Sequence, residues 1–371
     1  MAKLLLENGE IFEGKSVGYD GDAFGEICFT TQMAGYQEII TDPSNAEQVM
    51  VMTYPEIGNC GINKDDFESS KIHPRALIMK NFCEKESHYL SSIKLDDYLK
   101  QKNVVALTNV DTRKLISIIR DNGVMKCLVT SGDIITDDMK QQLKDYSFDK
   151  NIIEKVSRKN IEVIKSNSKN KKIKMAVLDC GMKNSTIEML KSLGCSLTIF
   201  PATASSDEIL KGKFHALFIS DGPGNPEDAI KLVKTVKKLL GKIAMFGVCM
   251  GCQILGLALG AKVYKLKHGH RGSNHPIINL ETEKVIISTQ NHGYVLDEKS
   301  LPENVKLTYK NLNDETVEGF ICPEFNIEAV QFHPENEKEV FSSWLDIVKR
   351  ERKNKKFFGL MKKIGGKNAK K

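Results

Sequence analysis

Two patterns of apolar and polar positions divide this chain. Over residues 173–259, short and almost wholly apolar runs alternate with amphipathic stretches. "IKMAVLDCG" (173–181) predicts a buried strand that ends in glycine, and residues 184–193 predict a helix that Gly194 can stop. "CSLTIF" and "FHALFISDGPG" predict two further strands, and "PEDAIKLVKTVKKLL" predicts a helix with Pro226 at its start. "IAMFGVC" is a fourth strand that leads into a helix from about Gly251. Strands alternating with helices predict α/β architecture, with a doubly wound, mostly parallel sheet. From Ala261 to Glu335 the chain becomes strand-rich, and a last helix is expected from about Lys338 to Lys349.

The first part is patterned differently. "LLLENGEIFEGKS" has Asn-Gly between two apolar-flanked arms, a strong hairpin signal. "EICFTT", "QVMVMTY" and "RALIMK" read as strands, and helices are expected near 95–102 and 112–121. Residues 1–150 therefore form a separate α+β domain. The polar, basic stretch "IKSNSKNKK" (164–172) closes a linker over 151–172, and residues 173–350 form the second domain.

Two segments imitate other functions. Residues 9–16, "GEIFEGKS", match a phosphate-binding loop letter for letter. That loop works only between a buried strand and a helix whose N-terminus receives phosphate. Here an Asn-Gly turn overlaps the match and "VGYDG" is a poor helix start, so a hairpin explains the residues better. Residues 243–261 are long and apolar enough for a membrane helix, with Gly256 and Gly260 at GxxxG spacing. Their place in the alternating series favours a buried strand followed by a buried helix.

Composition narrows the setting. The 371 residues are 41% hydrophobic and 27% charged, ordinary for a soluble globular protein. "MAKLLLENGE" is too short an apolar run for a signal peptide, and nine cysteines without a repeated spacing argue for free thiols in the cytoplasm. The net charge of +6 is unevenly placed. From Lys349 onward eleven Lys/Arg face one acid, a net of +10 that leaves the other 348 residues at −4. The basic tail, residues 351–371, reads as a solvated extension, and neither a nucleic-acid nor a membrane partner is expected.

The chemistry begins in "GVCMG", where Gly247 and Gly251 flank Cys249 in the nucleophile-elbow pattern. At a strand-to-helix turn the helix N-terminus would favour the Cys249 thiolate. A thiolate needs a base, an orienting group and an oxyanion hole. In "AVQFHPE" (329–335), His333 and Glu335 alternate onto one face, a base with a carboxylate to orient it. The Met250 N–H follows the nucleophile, and "SDGPGNP" (220–226) offers Gly222 or Gly224 as a second donor. Histidines 268, 270, 275 and 292 show no convincing ligand spacing, so no metal site is expected.

With "SDGPGNP", "GVCMGCQILG", "HGHRGSNHP", "TQNHGY" and "VQFHPE" in order, residues 173–350 resemble a class I, triad-type glutamine amidotransferase domain with a flavodoxin-like sheet. "HGHRGSNHP" followed by "QNHG" is similar to the small-subunit family of glutamine-dependent carbamoyl-phosphate synthetase. "GYQEIITDPS" (35–44), "TYPEIGNCG" (53–61) and "NVDTRKLISIIRDNG" (109–123) extend that resemblance through the first domain. The resemblance implies Cys249 as nucleophile with His333 and Glu335 as partners. It also implies L-glutamine binding by Ser44, Gly222, Gly224, Met250, Gln253, Asn291, Gly293 and Tyr294. It further implies ammonia delivery to a large synthetase subunit that uses ATP, Mg²⁺ and bicarbonate to make carbamoyl phosphate for arginine or pyrimidine synthesis. No cofactor is expected in this chain, and the first domain is the expected interface. Two positions depart from the family pattern: Cys252 stands where histidine is usual, and Asp221 where asparagine is frequent. Three other readings are an amidotransferase for GMP or anthranilate synthesis, a thiol oxidoreductase using Cys249 and Cys252, and a non-enzymatic regulatory subunit.

Overall fold

The computed structural model describes residues 1–166, 173–335 and 339–349, so the expected start of the last helix and the basic tail lie outside the described residues. The first domain is a closed seven-stranded barrel. Its strands follow the spatial order Ala2–Leu6, Ile11–Gly18, Val105–Thr108, Ala76–Ile78, Gln48–Met52, Asp22–Thr30, Met125–Thr130. Closure removes the free edges that a half-polar sheet would otherwise expose. Alternate residues separate to two faces, as a pleated strand requires. Leu4, Leu6, Ile27, Val51, Ile78 and Leu107 gather with Leu115 and Ile119 of the helix Thr112–Asn122. Cys28, Met50, Met52 and Leu77 instead pack beneath Ile40 and Leu99 of two further helices. The phosphate-loop lookalike lies on the first hairpin, with Gly9 at φ +91° and Ile11–Gly18 in a strand.

The second domain is built on a ten-stranded sheet. Its centre is parallel, in the order Cys195–Pro201, Ile173–Asp179, Ala216–Ile219, Ala244–Val248, Ile327–Val330. The strand-rich region adds an antiparallel wing in the order Val317–Cys322, Lys306–Asn311, Val263–Asn279, Val285–Leu296. The mostly parallel character thus belongs to the five central strands. Apolar clusters cover both faces, one around Leu217, Ile254 and Leu255, the other around Phe218, Phe246 and Trp344 of the segment 339–349.

Two details differ from the sequence expectations. The stretch 151–172 is not wholly a linker. Ile152–Val156 is helical, and Glu162–Ile164 pairs antiparallel with Cys195–Pro201 as an edge strand. Its alternation is too short to register as a strand, and pairing with a buried neighbour supplies the missing stability; residues 167–172 lie outside the described residues. The helix expected from Pro226 begins at Ile230, after a 3-10 turn over Pro226–Asp228 that the Asn225 side chain caps. The apolar run 243–261 is the central strand Ala244–Val248 plus the helix Met250–Leu259, and no described helix is long and apolar enough to cross a membrane.

Candidate active site

Cys249 caps the helix Met250–Leu259 with φ 52° and ψ −105°, a conformation that costs a non-glycine residue about 1–3 kcal/mol. The flanking glycines make the turn sterically feasible. A Cβ on Gly251 would lie 2.1 Å from the Ile219 carbonyl oxygen, and one on Gly247 would lie 2.5 Å from the Gly251 carbonyl carbon. The Cys249 N–H donates to Val330 O at 2.9 Å, fixing the elbow to the neighbouring parallel strand. The position is the carboxyl edge of a parallel sheet, where such folds hold their ligands.

A cavity of about 530 Å³ opens at this elbow. Cys249, Ser44, Gly222, Gly224, Met250, Gln253, Asn291, Gly293 and Tyr294 all line it, drawn from both domains. Gln253 Nε2 donates to Tyr294 O at 2.7 Å and Gln331 Oε1 at 3.1 Å. Ser44 Oγ is buried and has no hydrogen-bond partner among the described residues, while the Ser44 N–H donates to Asp42. Asn291 to Gly293 lie within the strand Val285–Leu296 and not in a turn. The Asn291 carbonyl oxygen accepts from Cys249 Sγ at 3.6 Å. Its side chain reaches across the domain boundary, donating to Asp42 Oδ2 at 3.1 Å and Asn45 Oδ1 at 3.0 Å. Asp42 and Asn45 were not legible as site residues, because nothing local marks a side chain that meets a strand some 250 positions away.

His333 and Glu335 line a second cavity of about 440 Å³, which shares Asn291 and Arg271 with the first. His333 is buried, and its N–H donates to Thr289 O at 2.8 Å. Its Nδ1 lies 3.8 Å from Glu335 Oε1, beyond hydrogen-bond length. Between them stands a residue the sequence reading missed, Lys183, whose Nζ is 3.1 Å from both His333 Nδ1 and Glu335 Oε1. Thr186 Oγ1 also donates to Glu335 Oε1, at 2.8 Å. Lys183 follows "DCGM" at the end of the first central strand, and its place at a strand's carboxyl end was the signal available. His333 Nε2 has no hydrogen-bond partner among the described residues.

The charges here are tightly balanced. Burial works against ionising Glu335, yet Lys183 and His333 hold its carboxyl well below the usual range. Burial likewise works against the Lys183 charge, and Glu335 and Asp221 more than offset it. Asp221 is the opposite case. Burial pushes its carboxyl up despite Lys183 at 3.9 Å, and neither of its oxygens has a hydrogen-bond partner among the described residues.

Cys249 itself is not the low-pKa thiolate that its helix N-terminus suggests. Burial pushes the thiol up, and Asp221 and Asp42 add to the shift. Lys183 and the Met250 N–H oppose it without reversing it. The dipole of one helix is outweighed by desolvation. Alkylation of Cys249 by iodoacetamide, followed on its tryptic peptide by mass spectrometry, is therefore expected to accelerate about tenfold per pH unit through pH ~9. A plateau near neutral pH would show a preformed thiolate instead.

Cys252 is fully buried, two helix positions beyond the cavity-lining Met250, and all nine cysteines are unpaired. Burial pushes its thiol well up, which suits a packing residue better than a redox partner.

Comparison with known proteins finds relatives for both domains. A family model described as carbamoyl-phosphate synthase small chain, CPSase domain, matches residues 4–129. A second, glutamine amidotransferase class-I, matches residues 176–345. The carbamoyl phosphate synthase small chain of Clostridium acetobutylicum is 44% identical over 333 residues, covering 90% of this chain and 94% of that protein. That of Clostridium perfringens is 41% identical, with 90% and 94% covered. The pyrimidine-specific small chain of Bacillus subtilis is 40% identical, with 90% of each covered.

Proposed function

Because this chain belongs to the carbamoyl phosphate synthase small-chain family and carries a class-I glutamine amidotransferase domain, we propose that Cys249, His333 and Glu335 hydrolyse the glutamine side-chain amide through a thioester. The observation that carries this reading is the strained Cys249, held at the head of its helix inside a cavity lined by all eight proposed glutamine-binding residues. Substrate entry places the amide carbon at Sγ. The Met250 N–H and a Gly222 or Gly224 N–H receive the developing oxyanion. His333 Nε2 takes the thiol proton, passes it to the departing ammonia, and then activates the water that releases glutamate.

This sequence constrains the His333 ring. For Nε2 to accept a proton, Nδ1 must carry the ring hydrogen and point it at Glu335. Lys183 then gives its own N–H groups to Glu335 and not to Nδ1. In the resting geometry Lys183 is near enough to Nδ1 to hold the other tautomer, so a shift of under ~1 Å by Glu335 toward Nδ1 would set the base. Because Gln253 Nε2 is bonded within the protein, its carbonyl oxygen is the atom left for the substrate α-ammonium, and unpartnered Ser44 Oγ suits the α-carboxylate.

We place the ammonia exit at the second cavity, which His333 lines and which shares Asn291 and Arg271 with the first. We place the consuming reaction on a large partner chain that binds ATP, Mg²⁺ and bicarbonate, with the barrel domain contributing to the interface. The nine unpaired thiols support a cytoplasmic setting. The product serves arginine synthesis, pyrimidine synthesis or both. The test is reconstitution with a carbamoyl phosphate synthase large chain from the same cell. Glutamine-dependent carbamoyl phosphate formation is expected, and support of GMP or anthranilate synthesis in its place would overturn the assignment.

A further inference from the structure

Behind the strand that lines the glutamine cavity lies a buried ring of proton acceptors that the chemistry above does not use. His270, His292 and Glu318 come from three strands of the antiparallel wing and are 6%, 5% and 0% exposed. His270 Nδ1 is 3.7 Å from Glu318 Oε1, His292 Nε2 is 3.9 Å from the same oxygen, and the three ligand atoms lie within 4.8 Å of one another.

The outer partners decide which atoms carry hydrogen. His270 Nε2 is 2.9 Å from Asp314 Oδ2, and a carboxylate only accepts, so Nε2 is protonated and Nδ1 presents a lone pair in the neutral ring. His292 Nδ1 is 3.1 Å from the Tyr294 carbonyl oxygen and its Nε2 is 3.3 Å from Gln290 Oε1, both acceptors, so in the neutral ring one nitrogen must turn a lone pair on an acceptor; with the hydrogen on Nδ1, at the shorter contact, that nitrogen is Nε2. Two imidazole lone pairs, a carboxylate and an amide oxygen thus converge. Asn311 Nδ2 donates to them only at long range, 3.4 Å from Gln290 Oε1 and 3.5 Å from Glu318 Oε1. His270 Nδ1 and Glu318 Oε2 have no hydrogen-bond partner among the described residues. Acceptors that face one another with so little donation are costly in a dry interior, and a cation resolves the conflict.

We propose that this is a zinc site, with His270 Nδ1, His292 Nε2 and a Glu318 oxygen as ligands and Gln290 Oε1 or a water completing four-coordination. Two imidazoles with one carboxylate suit zinc and disfavour calcium or magnesium, which prefer all-oxygen shells. Tetrahedral bonds of ~2.0–2.1 Å separate ligand atoms by about 3.4 Å, a few tenths less than the two spacings to Glu318, and metal binding would draw the two imidazole nitrogens, now within 4.8 Å, to the same separation. Each histidine also has the outer acceptor, Asp314 or the Tyr294 carbonyl, that orients zinc-bound imidazoles in known sites. The metal would tie three antiparallel strands together immediately behind Asn291, Gly293 and Tyr294. Its role is to hold that strand, and its binding does not depend on the reaction proposed for the other face.

The competing occupant is a proton. Burial lowers the His270 pKa, but Asp314 and Glu318 raise it to about 9, so an imidazolium between two carboxylates would satisfy the same ring. The full chain carrying Cys249→Ser, which removes the thiol most able to capture zinc in the cavity, separates the two. After metal stripping it is titrated with Zn²⁺, and with Co²⁺ as a visible probe. About one equivalent is expected, with the intense ligand-field bands of four-coordinate cobalt. Glu318→Gln should abolish binding. Asp314→Asn, at a partly exposed position that spares the fold, should weaken it about 10–100-fold. Absence of stoichiometric metal in the folded Cys249→Ser chain, or metal that survives Glu318→Gln unchanged, overturns the site in favour of the proton.

Discussion

Replacing Cys249 with alanine is expected to lower glutamate release from glutamine by at least about 10³-fold, with the protein still folded. In the proposed mechanism the thiol attacks the amide carbon, and the turn that presents it is maintained by Gly247, Gly251 and the bond from Cys249 N to Val330 O, not by the sulfur. Alanine gives up the packing of one buried sulfur atom, a cost of about 1 kcal/mol, so the fold should hold. In the complex with its large partner, synthesis from free ammonia should persist while synthesis from glutamine is lost. Glutamate release within a few-fold of the parent would remove Cys249 from the mechanism. The same assay on Cys252→Ser should show little loss, whereas a dithiol mechanism would require both sulfurs.

The second large effect is expected at Lys183. Its ammonium is the cation between His333, Glu335 and Asp221, all largely buried. Lys183→Met leaves the Glu335 carboxylate uncompensated in a low-dielectric setting, a loss of about 3–5 kcal/mol in comparable buried pairs. The pH dependence follows from the sign of the Glu335 shift. Its carboxyl is held below the ordinary value of 4.5, so its stabilising contribution is fully present above that value and is lost as pH falls through the lower folded value. Without Lys183 the carboxyl should protonate at higher pH. The acid limb of the kcat/KM profile should then move upward and acid unfolding should begin at milder pH. An unchanged acid limb, with normal thermal stability, would show that Lys183 is a bystander. Lys183→Arg, which keeps the charge, should recover part of the stability and little of the geometry.

The strained turn at Cys249, the proposed nucleophile, was legible because its requirements are local. An elbow needs small residues two positions either side of the reactive atom, and "GVCMG" states that in five letters. The proposed base and carboxylate were singled out on the alternation in "AVQFHPE", but the strand ends at Val330, with His333 in an isolated bridge to Thr289 and Glu335 in a turn, so a shared strand face is not what brings them together. The barrel was not legible. Its strands read individually, but closure depends on parallel pairing among Asp22–Thr30, Gln48–Met52, Ala76–Ile78 and Val105–Thr108, which no turn signal announces. The surroundings that oppose ionisation of the thiol were not legible, for a related reason. A helix N-terminus is visible in sequence, whereas the depth of burial and the two acids beside it are not.

By itself, then, the amino-acid order determined the α/β series, the separate first domain and the elbow at Cys249. Each of these follows from spacing within a few residues of one element. Tertiary structure alone decided that Lys183 stands between base and carboxylate, and that Asn291 clasps Asp42 and Asn45 of the other domain. It also decided that His270, His292 and Glu318 meet behind the glutamine strand. Those meetings join residues from separate strands and loops, up to some 250 positions apart. Their energies depend on burial and on pairing across the fold, quantities that no local pattern encodes.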